Sequence, residues 1–172
     1  WLLRLVLEQQ GDAAHPEQLQ ALAGLAAKDP SPVVRRAICS VVDRLPLDVR
    51  WPIVEALASH SEDVSDHNLP LLIWYAMEPL AELDPDRALD LGMRAGEQIP
   101  LLREFMLRRV GASGDARAVA RLIAGLDRID TIEQQMAFLT ALRTSLVGQR
   151  TVDKPAQWDA VYSRLRGSSE ID

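Results

Sequence analysis

The sequence predicts an all-α chain folded as an α-α superhelix, a solenoid of about ten short helices stacked in pairs. Three observations carry that prediction. Alanine and leucine are abundant, and no β-branched run alternates with polar residues as a half-buried strand would. Prolines and Asp/Gly pairs cut the chain into pieces of helical length joined by short links. Finally, Asp29-Pro30-Ser31-Pro32-Val33-Val34-Arg35-Arg36-Ala37 runs a helix stop directly into a helix start. Asp29 and Ser31 are placed to cap the new helix, and Pro32 sits where its missing N–H costs nothing. Beyond it Val34, Ala37, Ile38, Val41, Val42 and Leu45 share one face at helical spacing.

The first helix is predicted over Trp1 to Glu8, ending at Gly11-Asp12. A second runs from Pro16 to Ala27 and buries Leu19, Leu22, Ala23 and Ala26. The third covers Pro32 to Arg44, and the fourth Leu47 to Ala58, with Pro52 near its first turn or bending it. Region five, Leu69 to Leu83, is different. Leu71, Leu72, Ile73, Trp74, Tyr75, Ala76 and Met77 are apolar on every side, which predicts burial on several faces, and Pro79 should kink or divide the helix. Asp84 caps a sixth helix beginning at Pro85, and a seventh begins at Pro100. The eighth, Asp115 to Leu126, sets Val119, Leu122, Ile123 and Leu126 on one face. A ninth begins at Thr131, where Asp130 and Glu133 form a variant capping box. The tenth, Pro155 to Leu165, carries Trp158, Val161 and Tyr162. One helical domain over residues 1–166 is expected, with residues 167–172 as a frayed tail. The first two pairs repeat at roughly thirty residues, and each pair covers its apolar face only by stacking on the next.

With 172 residues, 48% hydrophobic and 26% charged, the composition is that of a globular protein able to bury a core. The net charge of −6 argues against a broad nucleic-acid surface, which needs clustered Lys and Arg; Arg103, Arg108 and Arg109 form the one local basic candidate. Cys39 is the single cysteine, so no internal disulfide forms, and its place in an apolar helix predicts a buried thiol. No signal peptide and no membrane-spanning run is legible. The chain opens at Trp1 within an apolar helix, so it is expected to be a segment of a longer polypeptide.

His60-Ser61-Glu62-Asp63-Val64-Ser65-Asp66-His67-Asn68 gathers two imidazoles and three carboxylates, donors that suit Zn²⁺ or Mn²⁺. Its spacing matches neither HExxH nor a calcium loop. The favoured alternative is a helix end, a polar turn and the next N-cap, supplied by Asp66 or Asn68. His15, before Pro16, is expected to be solvated. Gly111-Ala112-Ser113-Gly114 lacks the lysine and strand of a phosphate loop and reads as an inter-helix turn. No nucleophile carries a local signature, so catalytic, cofactor-binding and metal-ligating residues are all expected to be absent. Trp51, Trp74, Tyr75 and Trp158 are candidates for binding anchors, with core packing favoured. Glu78, beside Pro79 in an apolar helix, needs backbone N–H groups or a cation such as Arg50 or Arg87.

Three stretches point to one family: Asp29 to Arg35, Leu45-Pro46-Leu47-Asp48-Val49-Arg50-Trp51, and Asp63 through Asp66-His67-Asn68-Leu69-Pro70-Leu71-Leu72-Ile73-Trp74-Tyr75-Ala76-Met77-Glu78-Pro79-Leu80. Together they resemble the HEAT-repeat region of the large PVC-type haem-binding, sorbosone-dehydrogenase-like enzymes, from Trp1 to about Leu107, the third stretch being the most specific. In that family a β-propeller precedes the helical region and a c-type cytochrome domain with a CxxCH motif follows it. The resemblance implies a non-catalytic scaffold connecting those domains, with c-type haem on a neighbouring domain and the parent periplasmic or exported. It also implies an interaction surface at Asp66, His67, Asn68, Trp74 and Glu78, without nucleic-acid or membrane contact. The competing classes are a stand-alone protein-binding module, a HEAT-like DNA-repair protein with a basic concave face, and a metal-dependent hydrolase using His60 and His67.

Overall fold

The computed structural model describes residues 15–112, 116–129, 131–148 and 151–167. Every regular element among them is helical. In order these are α1 (Pro16–Lys28), α2 (Pro32–Val42), α3 (Trp51–Leu57), α4 (Leu69–Met77), α5 (Leu80–Leu83), α6 (Pro85–Gln98), α7 (Pro100–Gly111), α8 (Ala116–Leu126), α9 (Ile132–Ser145) and α10 (Trp158–Gly167), with 3₁₀ turns at Leu47–Val49 and Ser61–Ser65. The predicted Trp1 to Glu8 helix, the Asp130 half of the capping box and the tail beyond Gly167 lie outside the described residues.

Proline placement explains most of the boundaries. Pro16, Pro32, Pro52, Pro70 and Pro85 each stand in the first two positions of a helix, where an amide hydrogen has no intrahelical acceptor. Pro52 also corrects the predicted fourth helix. Lacking the N–H that would bond back to the Asp48 carbonyl, it forces a 3₁₀ turn at Leu47–Val49, and α3 starts afresh at Trp51. Pro79 divides region five in the same way, ending α4 at Met77 and opening α5 at Leu80. The Asp84 cap is present, its Oδ1 accepting from the Arg87 N–H at 3.0 Å. Ser31, by contrast, makes no side-chain cap; Asp29 Oδ1 instead accepts from the Ser31 N–H at 2.9 Å, tightening the link before the helix. Thr131 likewise caps α9 without a side-chain bond.

The chain falls into two compact units, Trp1–Arg103 and Glu104–Asp172. In the first, α1 packs on α2 and α3, α2 packs on α4, and α3 packs on α4. Leu22, Ile38, Ile53, Leu57, Ile73 and Met77 fill the space between them. In this unit α5 packs on α6 and on the Leu47–Val49 turn. The buried face of α6 carries Ala88, Gly92, Ala95 and Gly96, small residues that let a neighbouring backbone approach closely. A β-carbon added at Gly96 would fall closer than 3.0 Å to the Arg103 β-carbon of α7, an atom fixed to its own backbone. Gly96→Ala is therefore expected to cost about 1–3 kcal/mol in urea unfolding, although alanine is the better helix former. A gain in stability would show that α7 yields freely.

In the second unit α8 packs on α9 and α10, burying Leu122, Ile123, Leu126, Phe138 and Val161. Arg164 of α10 reaches back to Asp127 Oδ1 at 3.0 Å and to the Leu126 carbonyl at 3.1 Å, so its cation sits at the C-terminal end of α8. Within α7, Arg108 pairs with Glu104 one turn earlier and lies over the Phe105 ring, which makes the candidate basic patch partly self-neutralised.

Candidate functional site

The buried face of α2 is centred on Ile38 and includes Arg35, Cys39 and Val42, rotated from the predicted one so that Val34 and Ala37 are only half-buried. Arg35 stands three and seven residues before Ile38 and Val42, hence on the core side. It meets Asp63, from the Ser61–Ser65 turn, in a two-pronged ion pair. Nε donates to Oδ2 at 2.6 Å and Nη2 to Oδ1 at 2.5 Å, with the side chains 1% and 2% exposed. Nη1 donates to the Asp29 carbonyl at 3.0 Å, and Glu62 Oε1 lies 3.4 Å from Nη2. The hydrogen bond to Asp63 raises the guanidinium above its ordinary pKa, against the opposing effect of burial. In sequence Asp63 figures only as one of three carboxylates in the His60–Asn68 stretch and Arg35 only as a cation within the apolar spacing of α2, and nothing there pairs the two.

Next to the pair, Cys39 is buried and its thiol is pushed up to about 12, first by burial and then by the Asp63 charge. It is expected to resist alkylation in the native chain at about pH 8 and to react fully once the chain is unfolded. Fast labelling without denaturant would mean that α2 opens readily. Arg50 is buried too and clamps the α2–α3 link, Nε donating to the Leu45 carbonyl at 2.7 Å and Nη2 to the Asp43 carbonyl at 2.5 Å. Burial lowers its pKa, and Asp43 partly offsets that.

The His60–Asn68 stretch, predicted as a polar turn with a following cap, is built around a 3₁₀ turn. Its second half performs the predicted capping through Asp66, not Asn68. Asp66 Oδ1 accepts from the Asn68 and Leu69 N–H groups at 2.8 and 2.9 Å, and these bonds hold its carboxyl below the usual range. Arg36 of α2 approaches its other oxygen at 3.5 Å. His67 and Asn68 are exposed. Among the described residues no three His, Cys, Asp or Glu side chains converge as a metal-ligand set, and His60 is turned towards α1 and Glu62. Nor does any described helix have the length and apolarity to cross a membrane.

The expectation that region five is buried on several faces is overturned. In α4 the side bearing Leu69, Ile73, Ala76 and Met77 is buried against α2, α3 and the Ser61–Ser65 turn. The opposite side carries Leu71, Trp74, Tyr75 and Glu78 at i, i+3, i+4 and i+7, a single row about 10 Å long. Tyr75 is 63% exposed and Leu71 is exposed as well, while Trp74 and Glu78 are half-buried. Of the five predicted surface residues, Trp74 and Glu78 thus share this row, His67 and Asn68 precede the helix, and Asp66 serves as its cap. Tyr75, a candidate anchor for which core packing is favoured from sequence, instead stands exposed, and Leu71, which completes the row, gives no signal of its own in a helix apolar all round. Trp51, by contrast, is core, with the Arg87 guanidinium 4.1 Å from its ring centroid, and Arg87 and Arg94 both reach Glu55. Compared with protein-family models, with curated proteins and with solved structures, the chain gives no match in any of the three.

Proposed function

We propose that the chain is a non-catalytic, HEAT-like helical scaffold that holds neighbouring domains of a larger haem-containing dehydrogenase, a β-propeller and a c-type cytochrome domain. The α4 row of Leu71, Trp74, Tyr75 and Glu78 is the observation that carries this. Exposed Tyr75 and Leu71 beside half-buried Trp74, on a helix whose other side is packed, make the kind of surface that anchors a partner. The row also falls within the stretch on which the sequence's resemblance to that family chiefly rests. The order of helix contacts supports a solenoid as its frame, since α1 meets α3 and α2 meets α4, as in stacked helix pairs.

Placing a photo-cross-linking benzoylphenylalanine at Tyr75 of the native polypeptide tests the assignment. Cross-links to a propeller or cytochrome domain of the same polypeptide are expected, with none from the same group at Val147, an exposed position in the second unit. Cross-links only to a separate protein would favour a stand-alone binding module. An unreacted Tyr75 site would remove α4 as an interaction surface.

A further inference from the structure

Helix α9 buries Gln135, Phe138, Ala141 and Leu142 on the side that packs in the second unit, where α8 is its neighbour. Its other side exposes Ile132, Met136, Ala137, Thr140 and Thr144, together with Glu133 and Arg143, the only charged residues of the helix. At 3.6 residues per turn these positions fall within about 140° of the circumference and run for about 18 Å. Ile132 is 46% exposed and Met136 53%. The threonines add to the apolar character of this side. Thr140 Oγ1 donates to the Met136 carbonyl at 2.8 Å and Thr144 Oγ1 to the Thr140 carbonyl at 2.9 Å. Both hydroxyls are thus committed to the helix itself, which leaves the methyl groups for the surface.

A surface helix ordinarily turns charge outward, and α6 does so, with Asp86, Arg87, Asp90, Arg94 and Glu97 on its open side. The open side of α9 is instead the kind of surface that another chain covers. Its residues are also symmetric about one level. Ile132 and Thr144 stand six residues either side of Phe138, Glu133 and Arg143 five, and Met136 and Thr140 two. A second α9 laid antiparallel about a two-fold axis at that level meets Ile132 with Thr144 and Met136 with Thr140, an aliphatic side chain against a threonine methyl each time. The same register brings Glu133 of each copy level with Arg143 of the other. A parallel copy would set like charges against each other at both ends. Among the described residues no ion pair or hydrogen bond already holds the Glu133 or Arg143 side chain.

We propose that the open side of α9 is a self-association surface, covered by a second copy of this chain in antiparallel register, with Met136 and Thr140 at the two-fold axis and a Glu133–Arg143 pair towards each end. Burial of the apolar centre supplies the attraction, and the two charge pairs choose the direction. One helix face of this length buries less than the about 1,200 Å² of a stable interface, so the association is weak and concentration-dependent. It uses a different helix from the α4 row and does not depend on which domains that row meets.

Benzoylphenylalanine at Met136 of the native polypeptide, in an equal mixture of ¹⁴N- and ¹⁵N-labelled copies, tests this. Cross-linked peptides of mixed isotope are expected, joining α9 to α9 within about one turn of Thr140. The charges then test the register. Below saturation, Arg143→Glu should lower the yield of that cross-link about tenfold, and adding Glu133→Arg should restore it to within about twofold. An unchanged yield with Arg143→Glu, or no recovery in a folded double variant, overturns the antiparallel pairing. The exchanged charges oppose the dipole of α9. Should they unfold it, the map of the Met136 cross-link decides. Products within a single copy, on another segment or on a different protein, or no product at all, overturn the proposal.

Discussion

Asp63→Ala is expected to destabilise the first unit by about 3–5 kcal/mol, because it leaves the Arg35 guanidinium buried without its carboxylate. The pair itself contributes much less than that figure. Desolvating two ions offsets most of their attraction, so the large loss measures the stranded charge and not the bond. Replacing both partners with apolar residues of similar volume, Arg35→Met with Asp63→Leu, should therefore recover most of the loss. Asp63→Asn keeps an acceptor but gives up the charge, and should fall between the two. Urea unfolding ranks these chains, and adding Arg35→Met and Asp63→Leu singly to the wild type and the double variant completes a double-mutant cycle. A cost below about 1 kcal/mol for Asp63→Ala would mean that the Ser61–Ser65 turn rearranges and lets water reach Arg35.

Trp51→Ala is expected to cost about 3–5 kcal/mol, the usual range for truncating a large aromatic that is fully packed. The indole is 3% exposed at the start of α3, and one of its faces carries the Arg87 cation. Arg87 retains Glu55 afterwards, so the loss comes from the cavity more than from the cation. Tyr75→Ala is the informative contrast. With its ring mostly in water, it should change unfolding by no more than about 0.5 kcal/mol while abolishing whatever docks on α4. Thermal unfolding of the two variants side by side separates an aromatic kept for the core from one kept for a partner.

What could be read from the sequence was what is encoded locally. Pro32, Pro85 and the Asp84 cap act within one helical turn, and the boundaries they predict are present. Pro79 was legible for the same reason. The Arg35–Asp63 pair joins residues 28 positions apart, and nothing local distinguishes Asp63 from Glu62 or Asp66. Nor could the open side of α4 be chosen from composition. Seven successive apolar residues give no direction, and the exposed row is set by where α2, α3 and the turn happen to pack. Cap identity at the Asp66–Asn68 step depended on which side chain turned back to the Leu69 amide, a choice of rotamer that spacing leaves open.

The succession of helix contacts has a consequence for how the chain is made. The principal contacts join helices one or two places apart in α-helix order, so few long loops must close before packing begins. Such local wiring suits folding during synthesis. Once α4 has left the ribosome, α1 to α3 have met their principal helix partners among the described residues, and the first unit can settle before the second is translated.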